Sequence, residues 1–168
     1  MIQRNESEFR ERQARENKRH YEKWLSCGYK GDMVLNDVGW CDNKLDKTQL
    51  RKLTVIKSKQ VDAEVEYVQL PNGNWVAGSH LSTKVSTYYG YGCCASIWSK
   101  QYETKGEAVV AELDRMETSV GRENKKALTP ELVNALAKNR NQFANASVFD
   151  AFFGAGASFE QTSLFDVA

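Results

Sequence analysis

Apolar and polar positions divide the chain into a charged opening, an irregular connection, an alternating middle and a helical end. Residues 4–25 read as a helix. Seven basic and five acidic residues crowd Arg4–Lys23, and Glu6–Arg10, Glu8–Arg12 and Glu11–Arg15 are i,i+4 pairs in the stabilising order. Apolar positions are sparse (Phe9, Ala14, Tyr21, Trp24, Leu25), so the helix should be mostly solvated and held by its C-terminal end. Residues 26–43 are rich in turn formers, with Tyr29, Met33, Val34, Leu35, Val38 and Trp40 as the expected anchors. From Val61 the pattern changes to period two: Val61, Ala63, Val65 and Tyr67 alternate with Asp62, Glu64 and Glu66, which predicts a strand. Asn72-Gly73 is a strong hairpin signal, and Trp75–Gly78 resumes as the return strand. Val85–Tyr89 reads as its continuation or a separate strand. Gly90-Tyr91-Gly92 reads as a bend, and Cys93–Trp98 as the third apolar strand.

Two helices follow. Thr104 with Glu107 three residues later forms a capping box ahead of the stripe Val109, Val110, Leu113, Met116, Val120, and Gly121 is the expected stop. Thr129-Pro130-Glu131 opens the second helix, with proline at the first helical position and an acid in the first turn. Its stripe is Leu132, Val133, Leu136, Phe143, with Arg140 at the edge, and it should fray near Asn145. The fold class is therefore α+β: a small antiparallel sheet of about three strands packed against two C-terminal helices, preceded by a charged helix. The organisation expected is 1–26 charged helix, 27–153 single domain, 154–160 flexible tether and 161–168 tail.

Composition narrows the function classes. A net charge of +1 over 168 residues gives no global field for nucleic acid or membrane, so any such binding needs a local patch. No apolar run approaches a membrane span, and the charged opening lacks the apolar core of a secretory leader, so the expected compartment is the cytoplasm. The four cysteines, Cys27, Cys41, Cys93 and Cys94, show no paired zinc spacing and are expected to be small buried hydrophobes with free thiols. Asp32, Asp37 and Asp42 lack a metal-loop spacing and read as turn residues. His80, with Ser82, Ser86 and the Cys93-Cys94 pair nearby, falls in an expected loop at Ser79–Lys84 without a triad motif. There is no phosphate-binding glycine loop and no nucleophile elbow. No enzyme, cofactor or metal is expected.

The one strongly basic stretch is Lys44–Lys59, with Lys44, Lys47, Arg51, Lys52, Lys57 and Lys59 against a single carboxylate, Asp46. Leu45, Leu50, Leu53 and Ile56 recur there at roughly helical spacing, although Thr54-Val55-Ile56 suits the start of a strand. Those cations, with Lys84, are candidates for phosphate contacts to double-stranded DNA; the alternative is a solvated face.

The final stretch carries the most specific pattern. After the small-residue run Phe153-Gly154-Ala155-Gly156-Ala157-Ser158 come Gln161-Thr162-Ser163-Leu164-Phe165. This resembles the clamp-binding motif of bacterial proteins that dock on the DNA sliding clamp. Gln161 matches the opening Gln, Ser163 the third position and Leu164-Phe165 the closing pair, while Thr162 replaces the commoner Leu. The resemblance implies that Leu164 and Phe165 fill an apolar clamp pocket with Gln161 at its rim, in an adaptor or regulator of replication or repair, or a phage or mobile-element protein that blocks the clamp. The alternative is a tail whose Phe165 caps the domain's own core. A weaker resemblance, of element order alone, links the strands and the helix beginning at Tyr102 to the three-stranded DNA-binding modules of integrase N-termini, which lay a sheet in the major groove. It implies a groove-facing surface of Lys84, Ser86, Tyr88, Ser96 and Lys100.

Overall fold

The computed structural model describes residues 6–84 and 89–153. The order is α1 (Glu6–Ser26), β1 (Arg51–Lys57), β2 (Val61–Gln69), β3 (Trp75–Thr83), β4 (Tyr89–Cys93), α2 (Lys105–Glu123), a 3-10 turn (Lys125–Ala127) and α3 (Pro130–Phe153). The strands form one antiparallel sheet in the order β1-β2-β3-β4. The protein is α+β, with four strands rather than three.

The alternation in β2 sets the inner face. Val61, Ala63 and Val65 pack with Ala77 and Leu81 of β3 against Val109, Leu113, Met116 and Val120 of α2 and Leu132, Leu136 and Phe143 of α3. Each buried Val, Leu, Met or Phe side chain there contributes about 1.5–3 kcal/mol of transfer free energy. The Thr104–Glu107 capping box is formed in both directions, which satisfies orphan amides at the start of α2 and contributes about 1 kcal/mol. Arg140 of α3 reaches back to Asp114 at 2.6 Å and Glu117 at 2.5 Å, tying the two helices at their solvent edge.

A second core lies on the opposite face of the sheet. Val68 and Val76, cross-strand partners, join Leu70, Ala95, Ile97, Trp24, Cys27 and Leu45. The charged N-terminal helix is thereby part of the same packed body. Gly28 and the β2–β3 turn meet here: Asn72 N–H donates to Cys27 O at 3.0 Å, and Asn72 Nδ2 donates to Ser26 O and Gln101 Oε1.

Several expectations change. The basic stretch contributes β1, because Val55 and the half-buried Leu53 and Ile56 pack on the inner core across a bulge at Val55. β3 continues through Ser79–Thr83, so His80 is an exposed strand residue, and small polar side chains had masked the alternation. Gly90-Tyr91-Gly92 lies inside β4, while residues 94–98 leave the sheet. Helix α2 runs through Gly121 to Glu123 and closes with Asn124 N–H on Val120 O. A side chain at 121 would crowd Leu128 Cδ1 at 3.2 Å, so this glycine serves close packing instead of termination. Helix α3 continues past Asn145 to Phe153.

Candidate interaction surfaces

Gln161, Ser163, Leu164 and Phe165 lie outside the described residues, as do Ser86 and Tyr88. The cations can be placed. Arg51, Lys52 and Lys57 are on the edge strand β1, exposed. Lys52 Nζ is 3.1 Å from Glu64 Oε2, and the Glu64 hydrogen bond holds the lysine pKa above its ordinary value. Lys44 is paired with Asp42 at 2.8 Å. Lys47 is exposed near the start of β1, at the far side of the sheet from Lys57, Lys59 and Lys84. The last three share the β1–β2 turn end, where Lys84 N–H donates to Gln60 O at 2.8 Å. The seven cations therefore do not converge on one surface.

The outer face of the sheet carries a row of carboxylates. Asp62, Glu64 and Glu66 stand on β2, opposite Lys57, Thr54 and Lys52 on one side and Ser82, His80 and Gly78 on the other. Glu66 Oε1 accepts the Ala95 amide at 2.7 Å, fastening the segment that follows β4 across this face. Three carboxylates in the centre of the face oppose a phosphate backbone, and the flanking lysines balance them. On an edge strand, cations and a bulge also serve to keep other chains from pairing.

The segment expected to be anchored by apolar residues is anchored by Tyr29, which stacks on Trp24, and beyond it is held mainly by amides. Residues 34–42 fold back as a small hairpin: Asn36 N–H donates to Trp40 O, Asp42 N–H donates to Val34 O, and Leu35 bridges Cys41. Asn36 Oδ1 accepts from Val38 and Trp40 N–H inside the loop. Asn43 Oδ1 accepts Val34 N–H, and its Nδ2 donates to Asp32 O. Asn17 of α1, buried, donates to Gly39 O and accepts Cys41 N–H, both at 2.8 Å, and Gln13 donates to Val38 O. Met33, Val34, Leu35 and Val38 are exposed, Val38 by 71%. These four correct the sequence expectation: they are exposed, on the side of the hairpin where exposed Phe9 meets Trp40 edge-on, and this apolar tip is tied to α1 by the Gln13 and Asn17 hydrogen bonds. Sequence reasoning missed the tip because apolar residues in a turn-rich segment suggest burial. The signal available was the three asparagines, Asn17, Asn36 and Asn43, whose amides take over the anchoring. Beside the tip a depression of about 330 Å³ lies between Trp40 and Trp98, lined also by Arg12, Glu16 and His20. Arg19 stacks on Trp98, and His20 Nε2–H donates to Asn43 O at 2.7 Å.

The cysteines split into two classes, a second correction. Cys27 and Cys41 are buried; Cys93 and Cys94 are exposed, and all four are free thiols. Burial pushes the Cys27 thiol above its ordinary 9.0, partly offset by Lys23. A disulfide-exchange reagent should titrate two thiols at once and the other two only on unfolding; four fast thiols would contradict the burial. Because the folded state holds the Cys27 proton more tightly, its contribution is complete below pH 9 and declines as pH rises past that value. Melting temperature should fall more steeply above pH 9 in the parent chain than in Cys27→Ala. Equal slopes would place the alkaline loss elsewhere, in Tyr29 or Tyr102, whose burial also raises their pKa values.

Among the described residues no group of three or more His, Cys, Asp or Glu side chains is placed to hold a metal ion, and no helix is long and apolar enough to cross a membrane. No protein-family model, curated protein or solved structure matches this chain.

Proposed function

We propose that this chain is a non-enzymatic adaptor or blocker that docks on the bacterial DNA sliding clamp through Gln161-Thr162-Ser163-Leu164-Phe165, and so acts on DNA replication or repair. The observation that carries the reading is the motif itself, four matching positions with the paired apolar residues at its close. Helix α3 supports it by placing a long rigid element, ending at Phe153, immediately before the segment 154–160. That segment spans at most about 25 Å, so the folded body would lie close against the clamp face and obstruct it. The outer-face carboxylates and the dispersed cations give the duplex-binding alternative less support.

The test is a titration of a purified bacterial sliding clamp with the full chain and with its Leu164→Ala/Phe165→Ala variant. A short peptide that orders on binding should give a dissociation constant near micromolar, about −8 kcal/mol. Removing two buried apolar side chains at about 1.5–3 kcal/mol each should weaken this by about a hundredfold or more. Absence of binding by the full chain, or equal affinity of the two, would sink the proposal.

A further inference from the structure

The two edges of the sheet are built differently. On β1, Arg51, Lys52 and Lys57 place three cations on seven residues, the register slips at Val55, and Asn139 of α3 reaches the Val55 carbonyl at 3.5 Å. Charge, bulge and helix each hinder another strand from pairing there. Strand β4, Tyr89-Gly90-Tyr91-Gly92-Cys93, has no charge, no proline and no bulge. It pairs with β3 in unbroken register from Thr83↔Tyr89 to Ser79↔Cys93, and among the described residues no strand pairs with its other edge. Helix α2 packs over β2 and β3, and α3 against β1. Gly90, Gly92 and Cys93 are exposed.

We propose that β4 is a self-pairing edge: two copies of this chain join β4 to β4 in antiparallel fashion about a two-fold axis, making one eight-stranded sheet. A second copy is the occupant because the edge is self-complementary. In a two-fold contact residue i meets residue j and j meets i; every charge on β1 is positive, so that edge would repel its copy, whereas an uncharged strand does not. The backbone N–H and C=O groups of that edge, which no strand among the described residues pairs, supply the ladder. Five residues of pairing bury less than the roughly 1,200 Å² of a stable complex, so the dimer should be weak and concentration-dependent. This inference is independent of the clamp reading.

The experiment is sedimentation velocity of the full chain in reductant, from about 1 to 500 µM, which excludes disulfide dimers. The expected result is a shift from monomer to dimer within that range. Cys93→Lys puts a cation at the exposed end of β4 in both copies and should weaken association at least about tenfold, while Cys93→Ser does not. Unchanged melting temperatures of both variants show that the fold is intact. A monomer at every concentration overturns the proposal, as does a dimer indifferent to Cys93→Lys. Should only a chain ending at Phe153 associate, the edge is occupied by this chain's own C-terminal segment, which also overturns it.

Discussion

Gly78→Ala should destabilise the fold by about 3 kcal/mol or more, a large share of the stability of a domain this size. Gly78 is buried in the middle of β3, where the chain leaving β4 crosses the outer face of the sheet. A methyl group there would overlap Cys93 O, Cys94 C and Ala95 N, all backbone atoms that cannot rotate aside. Relief requires lifting residues 93–95, which breaks the Ala95 amide bond to Glu66 and withdraws Ala95 and Ile97 from the second core. Gly73, at the tip of the β2–β3 turn, provides the comparison. Its φ is +89° and nothing lies within 4 Å of an added Cβ, so Gly73→Ala should cost only the left-handed backbone penalty, about 1–2 kcal/mol. Urea unfolding of the two variants side by side decides the matter; equal losses would mean that the crossing segment yields easily.

Asn17→Leu should cost about 2–4 kcal/mol, although it increases the apolar content of a buried position. The substitution keeps the branching and the number of heavy atoms and removes both the donor to Gly39 O and the acceptor for Cys41 N–H. Cys41 is itself buried, so its amide would be left without a partner. The hairpin 34–42 should then separate from α1, and Trp40 would lose its contact with Phe9. Tryptophan emission would shift to the red in the folded variant. A stability equal to or above the parent would show that packing, not the amide, secures the loop.

Much of the inner core was readable from residue order. The capping box at Thr104, Pro130 at the start of α3, the Asn72-Gly73 turn and the alternation of β2 all rest on local stereochemistry, and each appears where it was expected. The errors have a common source. Leu53, Val55 and Ile56 belong to a bulged edge strand, and the bulge breaks period two while leaving a spacing that resembles a helix. His80 sits in β3 opposite Glu64 of β2, and its neighbour Ser79 is buried because it donates to Glu112 of α2 at 3.0 Å, a partner distant in the chain that no local window contains. The exposed tip at Val34–Val38 follows the same rule. Its fate depends on Asn17 and Gln13, more than twenty residues away. As for the candidate sites, the terminal motif is visible only in the sequence, while the asymmetry of the sheet edges is visible only in three dimensions.

The second core has a consequence for the order of assembly. Helix α1 leaves the ribosome before the sheet, yet the surface it rests on is made by Val68, Leu70 and Val76 and closed by Ala95 and Ile97. Its solvated ion pairs, Glu6–Arg10, Glu16–Arg19 and Lys18–Glu22, favour the helix meanwhile without any contact to the sheet. Docking waits until some seventy further residues have emerged and the β2–β3 hairpin has formed, and synthesis at about 5–20 residues per second sets the delay. A nascent chain stalled before Ala95 emerges should therefore hold Trp24 in water, and the N-terminal helix should dock long after it has formed.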